Sequence, residues 1–229
     1  LNFLKPAFPQ SKMSSFPNRP LTILLISSIC NLLFASAEAS GDLVISEIMY
    51  NPGGLPEDVG AEYIELHNRS EAAVELQGYR LDKAVDFLFD GGGIPPGGHI
   101  VVASNISIFR ARYPEVENVV GPWEGKLKNS GERIALFDGE GEQVDEVRFA
   151  DEGDWATRSR GPDDRGHRGW VWLAAHDGEG KSLELINPFL TNNNGQNWGS
   201  SIDDGGTPGE SNSIAANNIA PIILSLIHI

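Results

Sequence analysis

Cysteine is nearly absent. The single one, Cys30, sits in an apolar stretch near the N-terminus, so the rest of the chain can form neither an internal disulfide nor a thiolate-ligated metal site. Basic residues are also scarce. Of 17 Lys and Arg, three (Lys5, Lys12, Arg19) precede Glu38, and no acidic residue does. From Glu38 onward, 14 basic residues face 32 acidic ones, a formal charge of −18. Such a surface repels phosphate backbones and argues against a nucleic-acid partner. Long apolar runs are missing too: the longest, Leu21–Phe34, falls short of the roughly 20 residues of a membrane span. Nor does a Gly-x-Ser-x-Gly elbow, a P-loop, a His-Glu-x-x-His pair or a Gly-x-Gly-x-x-Gly turn stand out.

The ends carry their own patterns. From Met13 the chain follows the plan of a secretory signal peptide. Arg19 supplies the charge, Leu21–Phe34 the apolar segment, and Ala35-Ser36-Ala37 the cleavage site. The competing reading is a membrane anchor. The signal implies a secreted or cell-envelope protein that meets the membrane only before cleavage. Residues 1–12 are then translated upstream sequence. At the other end, Leu224–Ile229 reads as a translated sequencing adapter, the alternative being an apolar edge strand. On the adapter reading, residues 214–223 are a linker toward downstream domains.

Residues 41–213 are about one domain in length and long enough to bury a core. Leu43–Tyr50 forms an expected first strand, closed by Asn51-Pro52-Gly53-Gly54. In Ala61–Asn68, Ile64 and Leu66 alternate with Tyr63, Glu65 and His67, the period of a half-buried strand. Short strands are expected at Asp86–Phe89 and His99–Ala103, with a glycine- and proline-rich loop at Gly91–Gly98 between them. Asn105 is placed to cap one short helix that presents Ile106, Phe109 and Tyr113 on one face and stops at Pro114. Gly131–Phe149 predicts a hairpin turning at Asp138–Gly141, with a bulge near Asp145-Glu146 because Val144 is out of phase with Val147 and Phe149. Ser182–Ile186 and Asn197–Ser201 are the last predicted strands. Asp151–Lys181 has no clear period, and so long a loop inside a domain is usually functional or mobile.

Four stretches, in order, resemble the lamin tail domain in its bacterial, secreted form. They are Ala61–Asn68 with the Leu76-Gln77-Gly78-Tyr79-Arg80-Leu81 that follows, the Leu127–Asp145 hairpin region, Ser182-Leu183-Glu184-Leu185, and Asn197-Trp198 with Gly206-Thr207-Pro208-Gly209. The resemblance implies an all-β fold: an immunoglobulin-like β-sandwich of two mainly antiparallel sheets, here with one short helix and a long loop insertion. Ile64, Leu66, Phe87, Val102, Leu136, Val147 and Leu185 are the expected core. It also implies a non-catalytic module for adhesion, scaffolding or targeting within a larger protein, alternatively the accessory module of a secreted enzyme. The expected partners are an extracellular protein or a polysaccharide.

Two groups of residues could carry chemistry. Glu47, Glu62 and Glu65 lie on neighbouring strands and could converge, although the exposed polar face of a sheet explains them more simply. The 151–181 loop gathers Trp155, Asp163, His167, Trp170, Trp172, His176 and Asp177 among Asp151, Asp154, Asp164 and four arginines, Arg158, Arg160, Arg165 and Arg168. One reading is a ligand site where aromatic faces stack and Asp and His fix polar groups, or a hydrolase site. Its carboxylates and carbonyls could instead hold Ca2+, without EF-hand spacing. The plainer reading is a self-pinned loop whose tryptophans plug the sandwich and whose Arg and Asp pair with each other. No cofactor other than that Ca2+ is expected.

Overall fold

The computed structural model of the chain describes residues 43–53 and 60–217. The expected signal peptide at 13–37, the upstream segment and the terminal hexapeptide lie outside the described residues. In chain order the strands are β1 (Leu43–Met49), β2 (Tyr63–Asn68), β3 (Val74–Glu75), β4 (Arg80–Lys83), β5 (Val85–Leu88), β6 (Gly93–Ile94) and β7 (His99–Ala103). Helix α1 (Ile106–Arg112) follows. Then come β8 (Val119–Val120), β9 (Glu124–Gly125), β10 (Arg133–Phe137), β11 (Gln143–Arg148), β12 (Thr157–Arg160), β13 (Trp170–Leu173), β14 (Leu183–Leu185) and β15 (Trp198–Ser200).

Six strands form one sheet in the order β15-β14-β1-β2-β7-β8, and five form another in the order β11-β10-β4-β5-β9. Among the described strands only β7 and β8 pair in parallel. Ile64, Leu66, Val102, Leu136, Val147 and Leu185 are buried in one cluster with Ile45, Ile48, Leu81, Ile134 and Phe149. This is the immunoglobulin-like sandwich that the resemblance implies. Phe87 is the exception among the expected core residues. It is only partly buried, packing on the cluster while Phe89, 4.8 Å away ring to ring, fills the buried position. Gly93-Ile94 is a further departure, because it pairs with β3 inside what composition marks as loop.

α1 forms where expected. The Asn105 side chain accepts hydrogen bonds from the Ser107 and Ile108 backbone N–H groups, supplying partners for two otherwise unsatisfied donors. Phe109 is buried against Tyr63, and Tyr113 follows on the same face.

Two bulges fix the geometry on which the rest depends. In β1, Ile45 pairs with Leu66 but Glu47 pairs with Glu65, so Ser46 is the extra residue. The slip keeps both Ile45 and Ile48 facing the core and turns Glu47 to the other side. In the β10–β11 hairpin, Leu136 faces Asp145 and Phe137 faces Gln143, so the bulge falls on Val144, next to the expected Asp145-Glu146. The two irregularities meet. Asp145 Oδ2 accepts the Ile45 N–H at 2.7 Å and the Asn192 side-chain amide at 2.7 Å, clipping one sheet to the other. Burial raises the Asp145 carboxyl above its ordinary range despite these bonds. Asp145→Ala should therefore cost about 1–3 kcal/mol, because two buried donors lose their acceptor. Urea unfolding of both proteins measures it; a midpoint unchanged by the substitution would show that the clip holds nothing.

The 151–181 segment is not the aperiodic loop that composition predicts. After a short 3-10 turn at Gly153–Trp155, β12 and β13 pair as a two-stranded arm, with Arg158 opposite Trp172 and Arg160 opposite Trp170. The period escapes notice in the sequence because the Trp-Val-Trp-Leu strand is apolar on both faces, so it shows no alternation.

Candidate functional site

The polar face of the six-stranded sheet is covered. Glu47 on β1 stands directly opposite Glu184 on β14 and Glu65 on β2. Residues so paired across antiparallel strands have Cα atoms about 5 Å apart. All three glutamates are fully buried. Their cover is the strap 205–214, which follows β15. Glu47 Oε1 accepts the Thr207 N–H at 3.0 Å, and Glu65 Oε2 accepts the Gly209 N–H at 2.6 Å. Glu184 accepts the Thr207 and Ser213 hydroxyls, each at 2.8 Å, and the Ile214 N–H at 3.1 Å. Ser46 donates to Glu65 Oε1 at 2.6 Å, a bond the β1 bulge makes available.

The Tyr63 hydroxyl lies 2.6 Å from Glu47 Oε1 and 2.9 Å from the Gly205 carbonyl oxygen, and it has one hydrogen to donate. The Gly205 carbonyl also accepts the Tyr113 hydroxyl at 2.6 Å, which leaves the Tyr63 hydrogen for Glu47. Burial raises Glu47 from 4.5 to about 7, with the Glu184 charge adding to the effect. Glu65 is raised well above its ordinary value, by burial first and by the neighbouring Glu47 second. Three carboxylates this close cannot all ionise out of water.

The expected exposed polar face is thus overturned for Glu47 and Glu65, because the strap seals it. Glu62 does not join them. Its carboxylate turns to the Leu127 N–H at 3.4 Å, and the third member of the cluster is Glu184. The clue was present in the sequence as a repeated motif: Ser46-Glu47-Ile48, Ile64-Glu65-Leu66 and Leu183-Glu184-Leu185 each set a glutamate beside core residues. Beyond the glutamates, His67 and His99 stack on the same sheet with ring centroids 4.4 Å apart. The His67 Nδ1–H donates to the Gly98 carbonyl at 3.2 Å. Burial, with His67 beside it, lowers His99 to about 4.

The residues predicted in the 151–181 segment separate into two groups. Trp155, His176 and Asp177 fasten the segment to the sandwich. Trp155 packs on the core and lies 5.9 Å from the Trp198 ring. His176 is buried, with Nε2 2.9 Å from the Trp155 carbonyl and Nδ1 2.7 Å from the Tyr50 hydroxyl. A carbonyl can only accept, so Nε2 carries the hydrogen and Nδ1 accepts from Tyr50. Burial lowers the His176 pKa and favours this neutral form. Asp177 accepts from the Asn51 amide at 2.6 Å. With both ring nitrogens engaged in the interior, His176 is not placed to act with His167, which lies at the arm's tip.

Asp163, His167, Trp170 and Trp172 belong to the arm. At its tip, Asp164 and His167 exchange backbone hydrogen bonds of 2.9 and 3.0 Å. Arg165 and Gly166 between them have φ of 55° and 84°, the left-handed values of a type I′ turn. Asp163 Oδ1 accepts the Gly166 N–H at 3.0 Å, and its other oxygen faces Arg168 Nε at 3.4 Å. One face of the arm carries Arg158, Arg160, Trp170 and Trp172. The Arg158 and Arg160 guanidinium carbons lie 4.7 and 4.5 Å from the Trp170 ring centroid. Trp170, Val171, Trp172 and Leu173 are all exposed. The expected mutual pairing of Arg with Asp is found only for Arg168 and Asp163: Arg158 and Arg160 form no ion pair among the described residues. Among those residues, too, no three His, Cys, Asp or Glu side chains gather as metal ligands.

A family model for the Lamin Tail Domain matches residues 36–151, which takes in β1 through β11 and stops before the arm. No curated protein matches the chain.

Proposed function

Because this chain belongs to the lamin tail domain family, a family of non-catalytic immunoglobulin-like modules, we propose that it is a tethering module. It serves adhesion or targeting within a larger exported protein, and the β12–β13 arm is its contact surface. The observation that carries this reading is the arm's exposure. Four large apolar side chains and two unpaired arginines stand in solvent on a two-stranded element. Isolated two-stranded sheets are marginal in water, and exposed apolar surface rimmed by charge marks interaction sites. The sealed glutamate face supports the same reading, since its carboxylates are committed to holding the strap.

The arm can be removed cleanly, because Thr157 and Leu173 at its base are paired across the two strands. Replacing residues 157–173 of the full chain by a short Gly-Ser turn should leave the melting temperature nearly unchanged. Retention of the exported protein on the producing cell's surface or matrix should fall at least tenfold. Equal retention of the two proteins would contradict the tethering role of the arm.

A further inference from the structure

We propose that the Arg158–Arg160–Trp170–Trp172 face binds an acidic polysaccharide whose carboxylates are widely spaced, such as a polymer alternating uronic acid with a neutral sugar. This rests on the tethering reading and names its ligand. A guanidinium stacked on an indole keeps its N–H donors at the edge of its own plane, free for a carboxylate in the bidentate geometry that Arg favours. Both Arg158 and Arg160 are held over Trp170, so two such forks are already oriented. Their Cα atoms, two residues apart on one strand, are about 7 Å apart. Trp172, directly opposite Arg158 and 37 % exposed, offers an apolar ring face beside them for the C–H face of a pyranose.

Charge selects the polymer. Residues 157–173 hold four arginines and two aspartates, a formal charge of +2 on a chain whose remainder from Glu38 onward then carries −20. A densely charged polyanion such as single-stranded DNA is repelled by that acidic body more strongly than a sparsely charged glycan. A sparsely charged glycan can place isolated carboxylates on the two forks and neutral sugars elsewhere.

The test is affinity electrophoresis of the full chain through gels containing hyaluronan, an alternating uronate polymer. Parallel gels contain dextran, polygalacturonate or single-stranded DNA. Hyaluronan should retard the native chain more than any of the other three. The doubly substituted Arg158→Gln, Arg160→Gln chain should lose at least tenfold in affinity, and Trp172→Ala should lose several-fold. Each should keep the native melting temperature, since these side chains are exposed. Dextran retarding the chain equally would remove the role of the arginines, and stronger retardation by DNA or polygalacturonate would overturn the charge selection. If hyaluronan leaves the native chain unretarded, the ligand assignment fails. Loss of surface retention on removing the arm would then still support the tethering reading, so the two claims fail separately.

Discussion

Gly206→Ala is expected to cost about 3–5 kcal/mol, enough to unseat the strap over the buried glutamates. Gly206 has a φ of 79°, a left-handed conformation that an L side chain adopts at a cost of roughly 1–2 kcal/mol. The larger part is steric. A methyl group at this position would fall on Glu47 Oε1, Ser182 Oγ and the Tyr63 hydroxyl, all of them held in the interior. Gly97 gives the control. Its φ of 68° is similar, but a Cβ there meets nothing within 4 Å. Gly97→Ala should therefore lose only the conformational part, and the difference between the two variants in urea unfolding measures the packing of the strap. Equal losses at the two positions would mean that residues 205–214 do not press on the cluster.

The second large effect is a change in how stability depends on pH. Glu47 holds its proton up to about pH 7 when folded, against 4.5 as its ordinary value. Between those values the folded chain keeps a proton that the unfolded chain has released, so rising pH favours unfolding. The contribution is complete below about pH 4.5 and gone once the pH passes 7, a span of roughly 3 kcal/mol. Glu65 acts in the same direction. His99 acts in the opposite one: neutral in the fold down to about 4, it contributes stability that is lost as pH falls below 6.5. His67 and His176, also lowered by burial, add to it. The opposed slopes overlap, so the native chain alone shows a flattened profile.

Glu47→Gln separates them, because an amide imitates the protonated carboxyl and does not titrate. The variant should match the native chain near pH 4.5 and exceed its stability by roughly 3 kcal/mol at pH 8. Chemical unfolding at both pH values measures the difference. A constant difference between the two proteins across this range would show that Glu47 folds in its ionised form.

The inner sheet faces were legible because they rest on a period of two. Ile64 and Leu66 declare themselves by alternating with Tyr63, Glu65 and His67, and Asn105 declares the helix by its capping chemistry. What could not be read was what covers the other face. A period of two says that Glu65 shares a side with Tyr63 and His67; it does not say that a segment some 140 residues later supplies the N–H group that helps to bury it. Nor does it reveal the bulge at Ser46, which decides which side Glu47 takes. In the 151–181 segment composition named these residues but did not show how they divide. Trp155 and His176 obey the plain reading of a pinned loop, while Trp170 and Trp172 do not. Their strand presents apolar side chains on both faces of an element with no sheet behind it, a circumstance no local pattern announces.

Hydrogen exchange of the full chain, with and without hyaluronan, tests most directly whether the glutamate face is sealed structure and the arm is the working surface. The account predicts slow exchange at the Thr207, Gly209 and Ile214 amides, comparable to β1 and β2, unchanged by the polymer. It predicts fast exchange across Thr157–Arg160 and Trp170–Leu173, slowed when the polymer is present. A strap that exchanges as fast as the arm, or protection by the polymer that appears at residues 205–214 and not on the arm, would contradict it.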